Sequence, residues 1–345
     1  MKPLITSTGS PSVGAMGSAR PTFGVLARTY GSRAAAPLTA LGSLIGLFIV
    51  GVVTIGGFDS MRSIDAVLIL SAFLGIAGVG QTGVIILGAI DLSIPFVMDV
   101  ANVVSGQLSH DGWPFVAAAL VAVAAGGAVG AVNGFLSARL TVHPLIVTLG
   151  IGYVAQGVVE VWTSGAPTGV APGWLSSMTS EGSHIGGVQL APVVLVWVAL
   201  AVIVVVALRR TSFGRRIYAT GNNPTAARLA RVSTVGVWTW TFMASGIFAA
   251  VAGIALLGFD GGTLASVGAP YLFLAVGAVV VGGTSLSGGR GGYGGTVLGA
   301  LMLTVLTTIL VGIGFSASVQ QLLVGVIIII VVATFGREAH VRDRV

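Results

Sequence analysis

From Pro37 onward the chain is a succession of long apolar runs separated by short polar or glycine-rich interruptions. The runs are Pro37 to Phe58, Ile64 to Leu87, Ile94 to Leu108, Pro114 to Leu136, Pro144 to Thr163, Gln189 to Leu208, Val235 to Leu257, Ala269 to Gly282, Gly295 to Ile313 and Val319 to Phe335. A helix rises 1.5 Å per residue, so about 20 apolar residues cross a hydrocarbon core of about 30 Å. The pattern therefore predicts about ten transmembrane helices. They are dense in small residues, as at Gly126, Gly127, Gly130 and Gly134 of the fourth run and Gly282, Gly283, Gly288, Gly291 and Gly295 around the ninth. Small residues let helix backbones approach closely, and packing drives helix association in lipid. Glycine-dense stretches also break helices at membrane depth, where protein or a watery cavity must satisfy the freed backbone groups. The expected fold class is an all-α integral membrane protein, a bundle of about ten transmembrane helices with broken helices near its centre.

Charge supplies the orientation. Only 8% of residues are charged and 55% are apolar, against about 25% charged in a soluble domain. The net charge of +6 would suggest nucleic acid on a soluble chain. Here the positive residues sit in short loops beside spans, where the positive-inside bias accounts for them. With the N-terminus inside, fifteen of the sixteen Lys and Arg residues fall on the cytoplasmic side and Arg62 alone lies outside. Both termini are then cytoplasmic. Residues 1–36, with Lys2, Arg20, Arg28 and Arg33 but no apolar signal stretch, read as a flexible tail. Residues 37–335 form the membrane domain, with a cytoplasmic loop at 209–234, and 336–345 form a second tail.

Two interruptions carry candidate chemistry. Leu87-Gly88-Ala89-Ile90-Asp91-Leu92-Ser93-Ile94-Pro95 joins glycine, an acid, a hydroxyl and a proline between two runs. Asp91 or Ser93 can cap the following helix, with Pro95 in its first turn. The functional reading is that Asp91 lines a polar route, since ionisable groups at membrane depth usually face a cavity. Asp99, two turns on, and the nearby Asn102 are pathway candidates by the same logic, or else polar contacts between helices. Glu160, near the outer end of its run, is expected to reach the interface. Val281-Gly282-Gly283-Thr284-Ser285-Leu286-Ser287 echoes Leu87 to Ser93 at the end of a span running in the same direction. This hints at a parallel internal repeat, as transporters often have.

The other informative stretch is the loop from Arg209 to Arg231, which holds six arginines. Within it, Asn223-Pro224 is a helix start, Asn as cap and Pro at the first position, and Ala226-Ala227-Arg228-Leu229-Ala230 is strongly helix-forming. A short surface helix follows, either a basic element held by anionic lipid or one that docks into a partner and transmits motion.

Enzymatic chemistry is hard to assemble. The chain has no cysteine, and its only lysine is Lys2, so it has no Gly-x-x-x-x-Gly-Lys phosphate loop. His110, His143, His184 and His340 lack metal-ligand spacing. The chain is expected to bind no metal or cofactor and not to be an enzyme by itself.

These motifs together resemble the permease subunits of ABC importers for ribose and other simple sugars, the branch that includes autoinducer-2 and nucleoside permeases. The markers are Gly88 to Ser93, similar to the family's Gly-Gly-Ile-Asp-Leu-Ser, and Gly130-Ala131-Val132-Asn133-Gly134 before His143-Pro144-Leu145-Ile146-Val147-Thr148-Leu149-Gly150. Phe213-Gly214 through Ala219-Thr220-Gly221-Asn222-Asn223 to Ala226-Ala227-Arg228, and then Gly282-Gly283-Thr284-Ser285-Leu286, complete the set. The resemblance covers roughly residues 40–335. It implies a dimer of permease subunits, homodimeric or with a related paralogue, around one central route in the bacterial inner membrane. It also implies two cytoplasmic subunits that bind ATP and magnesium, and an extracytoplasmic substrate-binding protein. Gly214, Arg215, Asn222, Asn223, Pro224, Ala226, Ala227 and Arg228 would serve ATPase coupling, with the helix from Pro224 to Ala230 seated in the ATPase. Asp91, Ser93, Asp99, Asn102 and Asn133 would belong to the translocation pathway. The loop from Ser164 to Gly187, with Trp174 and Glu181, would receive the binding protein. Three residues depart from the family pattern: Pro95 where Gly is usual, Asp99 where a small apolar residue is usual, and Arg231 where Gly follows the helix. A secondary transporter using Asp91, Asp99 and Glu160 as proton- or sodium-coupling carboxylates is the alternative.

Overall fold

A computed structural model describes residues 41–140, 142–185 and 187–335. Both expected tails, 1–36 and 336–345, lie outside the described residues. The elements in order are α1 (Leu41–Thr54), α2 (Met61–Ile86), α3 (Ile94–His110), α4 (Phe115–Arg139), α5 (Pro144–Trp162) and α6 (Gly173–Thr179). A two-stranded hairpin follows, β1 (His184–Ile185) antiparallel to β2 (Val188–Gln189). Then come α7 (Pro192–Arg210), α8 (Ser212–Asn222), α9 (Pro224–Leu229), α10 (Thr234–Asp260), α11 (Tyr271–Val281), α12 (Tyr293–Gly312) and α13 (Ala317–Phe335). Six helices, α2, α4, α5, α7, α10 and α12, are long and apolar enough to cross a membrane. Shorter apolar helices, among them α1 and α11, accompany them. Prolines occupy the first turn of α3, α5, α7 and α9, where a missing N–H costs nothing.

The centre of the bundle is α2 and α10, the most buried of the long apolar helices. The most extensive packing is that of α10 on α4. Gly126, Gly130 and Gly134 lie at four-residue spacing on α4 and meet the α10 backbone directly at Gly246, Phe242 and Trp238. Side chains here would hold the helices apart.

Nine arginines fall within the described residues, and eight gather at one end of the bundle, with the last turns of α4 and α7, α8, α9 and the 282–292 segment. Arg62 alone among them sits at the opposite end. It does so inside α2, which begins at Met61, so the first turns expected as loop are helical. Asp65, 1% exposed, anchors this end: its Oδ1 accepts the Ala191 N–H at 2.9 Å and its Oδ2 the Gly182 N–H at 3.3 Å. The 164–187 stretch, expected as a plain loop, contains α6 and β1. Leu175 of α6 packs close against Gly258 of α10.

The two interruptions end their helices in one way. Leu87 and Gly282 are right-handed C-caps, and the next residues, Gly88 and Gly283, have φ of +84° and +85°. Ala89 N–H then reaches Val84 O and Thr284 N–H reaches Val279 O, both at 3.1 Å, closing the last carbonyls of each helix in a Schellman turn. The two breaks share this turn one residue off the sequence echo, but α3, α5 and α12 end in the same bond at Trp113, Gly165 and Phe315, so the turn marks no repeat of its own. Within it Gly88 corresponds to Gly283, because left-handed backbone, not residue likeness, sets the register.

Candidate functional site

The candidate residues fall into three groups along the bundle. The innermost lies at the first interruption. Asp91 Oδ1 accepts both the Ser93 N–H at 2.9 Å and the Ser93 hydroxyl at 2.6 Å, and Asn133 Nδ2 of α4 donates to Ser93 Oγ at 2.8 Å. Thr148 Oγ1 of α5 accepts the Leu92 N–H at 3.1 Å. Asn133 is six residues inside Arg139, about 9 Å along the helix axis. Sequence reasoning expected Asp91 or Ser93 to cap α3 directly. Ser93 does occupy the N-cap position, but its side chain makes no capping bond, because its hydroxyl is drawn to Asp91. Asp91, Ser93 and Asn133 are at most 2% exposed. Asp91 Oδ2, Asn133 Oδ1 and the Ser245 hydroxyl have no hydrogen-bond partner, nor does either polar atom of Gln81. Gln81 sits within an apolar run and was not singled out from sequence.

Asp99 and Asn102 stand apart from that group. Asp99 Oδ1 accepts the Gly268 N–H at 2.7 Å. Asn102 spans two segments, donating to Gly253 O at 3.3 Å and accepting from Leu264 N–H at 3.0 Å. Asp99 also borders a small cleft of about 10 Å³, room for a single water, with Val103, Gln156, Glu160, Thr163 and Ala265. Glu160, expected at the interface, shares this cleft.

The third group is the arginine-bearing loop. Thr211 Oγ1 caps α8 by accepting the Gly214 N–H, and Asn223 Oδ1 caps α9 by accepting the Thr225 and Ala226 N–H groups at 3.0 Å each. The helix expected from Asn223-Pro224 is there, one residue shorter, at Pro224–Leu229. It too ends in a Schellman turn: Val232 N–H bonds Ala227 O at 3.0 Å and Arg231 N–H bonds Arg228 O at 2.9 Å. Arg231 takes φ of +59° to do so. That conformation favours glycine, so the departure of Arg231 from the family pattern falls where the backbone wants Gly. Ala227 is buried, whereas Arg215, Pro224, Ala226 and Arg228 are exposed. Leu229, 83% exposed, is an apolar knob at the tip. Sequence reasoning passed over it, though a leucine in an otherwise basic loop was a usable signal.

On its inner side the loop meets both interruptions. Tyr218 donates its hydroxyl to Gly291 O at 2.8 Å. Asn222 Nδ2 donates to Gly289 O at 3.2 Å and to Tyr218 O at 2.8 Å. Gly289 N–H in turn bonds Ile86 O, the end of α2, at 2.8 Å. Burial pushes the Tyr218 hydroxyl above the usual tyrosine range, against the opposing pull of Arg209, so it stays protonated and donates.

A membrane bundle with two matched helix breaks, and a capped helix presented on a basic loop beneath them, is the arrangement of a transport permease. The chain belongs to the branched-chain amino acid transport system / permease component family, whose model matches residues 63–332. It is similar to the fructose import permease protein FrcC of Rhizobium meliloti, 33% identical over 309 residues, which cover 88% of this chain and 85% of that one. It is 32% identical to the ribose import permease protein RbsC of Bacillus subtilis over 297 residues, 85% of this chain and 91% of that one. It is 28% identical to the autoinducer 2 import system permease protein LsrC of Shigella flexneri over 303 residues, 87% of this chain and 86% of that one. No solved structure matches.

Proposed function

We propose that this chain is the membrane-spanning subunit of an ATP-binding cassette importer and forms the route for a sugar or similar small polar solute. About ten spans, with both termini cytoplasmic, place the arginine-bearing end in the cytoplasm of a bacterium, by the positive-inside rule. There Gly214, Arg215, Asn222, Asn223, Pro224, Ala226, Ala227 and Arg228 form or flank the seat of a partner ATPase, which holds ATP and magnesium. A second permease subunit, identical or paralogous, completes the route. An extracytoplasmic binding protein delivers solute to the opposite end, and lipid covers the rest. Asp91, Ser93, Asp99, Asn102 and Asn133 contribute its polar groups.

The observation that carries this reading is α9. A six-residue helix is too short to be stable alone. This one is held by a side-chain cap and a Schellman turn, and projects an exposed leucine among arginines. Such a knob matches a docking contact better than a lipid-held loop. Relatives named for fructose, ribose and autoinducer 2 import support a small polar solute. The ion-coupled alternative loses its main support, since Asp99 has a backbone partner in Gly268 and the relatives are import permeases.

The test is purification from native membranes in mild detergent, with identification of whatever co-purifies in stoichiometric amount. An ATP-binding subunit is expected, and it should be lost with Ala227→Pro, which breaks α9, and weakened by Leu229→Asp. A chain that purifies without any ATPase yet moves solute along a proton or sodium gradient would overturn the reading.

A further inference from the structure

We infer that Tyr218 and Asn222 are positioning residues that bind the coupling loop to the 282–292 break and, through the Gly289 N–H, to the end of α2, so that all three move as one body. The inference rests on the importer reading above and adds the path by which motion at α9 reaches the membrane domain. α9 packs chiefly on α8 and α10, so a push on its exposed tip passes largely into α8.

At the end of α8 next to α9 the backbones of three segments, 86–88, Gly221 and 288–289, come into direct contact. A Cβ at Gly221 would run into Ile86 O and, at 2.9 Å, Gly289 N. One at Gly288 would sit 3.0 Å from both Gly221 O and Gly88 N. One at Gly289 would meet the Asn222 side chain. Side chains absorb small displacements by changing rotamer, whereas backbone packed on backbone has no such slack. The joint is closed by the bonds already described: Tyr218 to Gly291, Asn222 to Gly289, and Gly289 to Ile86. Both breaks therefore hang on the same few atoms of α8. The Gly289 to Ile86 bond makes the first break follow the second. Tyr218 lies outside the residues assigned to the ATPase seat, whereas Asn222 flanks it, so Tyr218 is the cleaner probe of a mechanical role.

The absence of cysteine from the chain makes a single reporter clean. Ser287, exposed on the second break, is changed to Cys in the complete permease–ATPase complex in lipid nanodiscs. Its rate of maleimide labelling is compared without nucleotide and after trapping with ATP and vanadate. The rate should differ between the two states. Tyr218→Phe keeps the ring and should keep both ATPase recovery and ATP hydrolysis, while shrinking the nucleotide-dependent difference. Each lost hydrogen bond should weaken the link by about fivefold, so Tyr218→Phe with Asn222→Ala should abolish the difference. If that double variant fails to assemble, the single Tyr218→Phe decides. Retention of the full difference in either variant, or no difference in a complex that hydrolyses ATP, would overturn the inference. Failure of any ATPase to co-purify is a separate result, seen before labelling, and would sink the importer reading and this inference with it.

Discussion

Gly130→Ala is a sharp test of whether the α4–α10 seam is limited by backbone approach. At the present separation a Cβ on Gly130 would overlap Phe242 O and lie 2.8 Å from Phe242 C, while ordinary contact begins near 3.4 Å. The obstacle is a helical carbonyl, which cannot rotate away, so the helices must part. Parting by roughly 1 Å forfeits up to about half of the dispersion energy of each contact pair along the seam. Overpacking of this kind costs about 1–3 kcal/mol. Alanine recovers about 1 kcal/mol through its better helix propensity, leaving a net loss of up to about 2 kcal/mol. Gly46→Ala, in α1, supplies the matched control, because nothing lies within 4 Å of its Cβ. That variant keeps the propensity gain and should be neutral or stabilised by about 0.5–1 kcal/mol. The assay is thermal unfolding in one detergent, read by tryptophan fluorescence, where 1 kcal/mol corresponds to about 2–4 °C on the scale of mid-sized soluble domains. Gly130→Ala should melt several degrees below Gly46→Ala. If Gly130→Ala melts at or above the parent protein, close approach is not what holds α4 to α10, and the account of the seam fails.

Asp65→Ala removes the acceptor of two backbone N–H groups at the end opposite the arginines, each worth about 1–3 kcal/mol when left buried and unpaired. Limited proteolysis should then cut faster between 180 and 191, and an unchanged pattern would show the anchor to be idle. Arg231→Gly relieves a left-handed residue and should stabilise the end of α9 by about 1 kcal/mol, slowing amide exchange at Val232; faster exchange would contradict it. Asp91→Asn and Asp99→Asn should separate, the first lowering the yield of folded protein and the second sparing yield. Equal effects on yield would refute the distinction.

Much of the architecture was legible because it depends on local pattern. Apolar runs located the six long helices, and Asn223-Pro224 placed α9 to within one residue. What escaped depends on partners distant in sequence. α8 was read as loop, although Thr211 as cap and the apolar Phe213 and Ile217 at helical spacing were there to be counted. The capping of α3 was assigned to Asp91 or Ser93 directly, since the competing bond between those two side chains is a matter of geometry. Asp99 with Gly268, and Asn102 with Gly253 and Leu264, join positions more than 150 residues apart. No spacing rule reaches that far. Tyr218 was invisible for the same reason: its meaning lies in a carbonyl 73 positions away.

The two acidic groups differ in what they tie together. One Asp91 oxygen holds Ser93 twice, and Ser93 is held by Asn133, so the acid ties the start of α3 to α4 beside the break. Both acids are buried, Asp91 at 2% exposure and Asp99 at 4%, so neither is open to a passing solute. Asp99 spends one oxygen on Gly268 and borders the small cleft shared with Gln156, Glu160 and Thr163. A carboxylate enclosed by protein must break structure before it can exchange a partner for a solute hydroxyl, and both acids are so enclosed. Asp91 therefore joins the start of α3 to α4 just past the break, while Asp99 joins α3 to the segment before α11, both from buried positions.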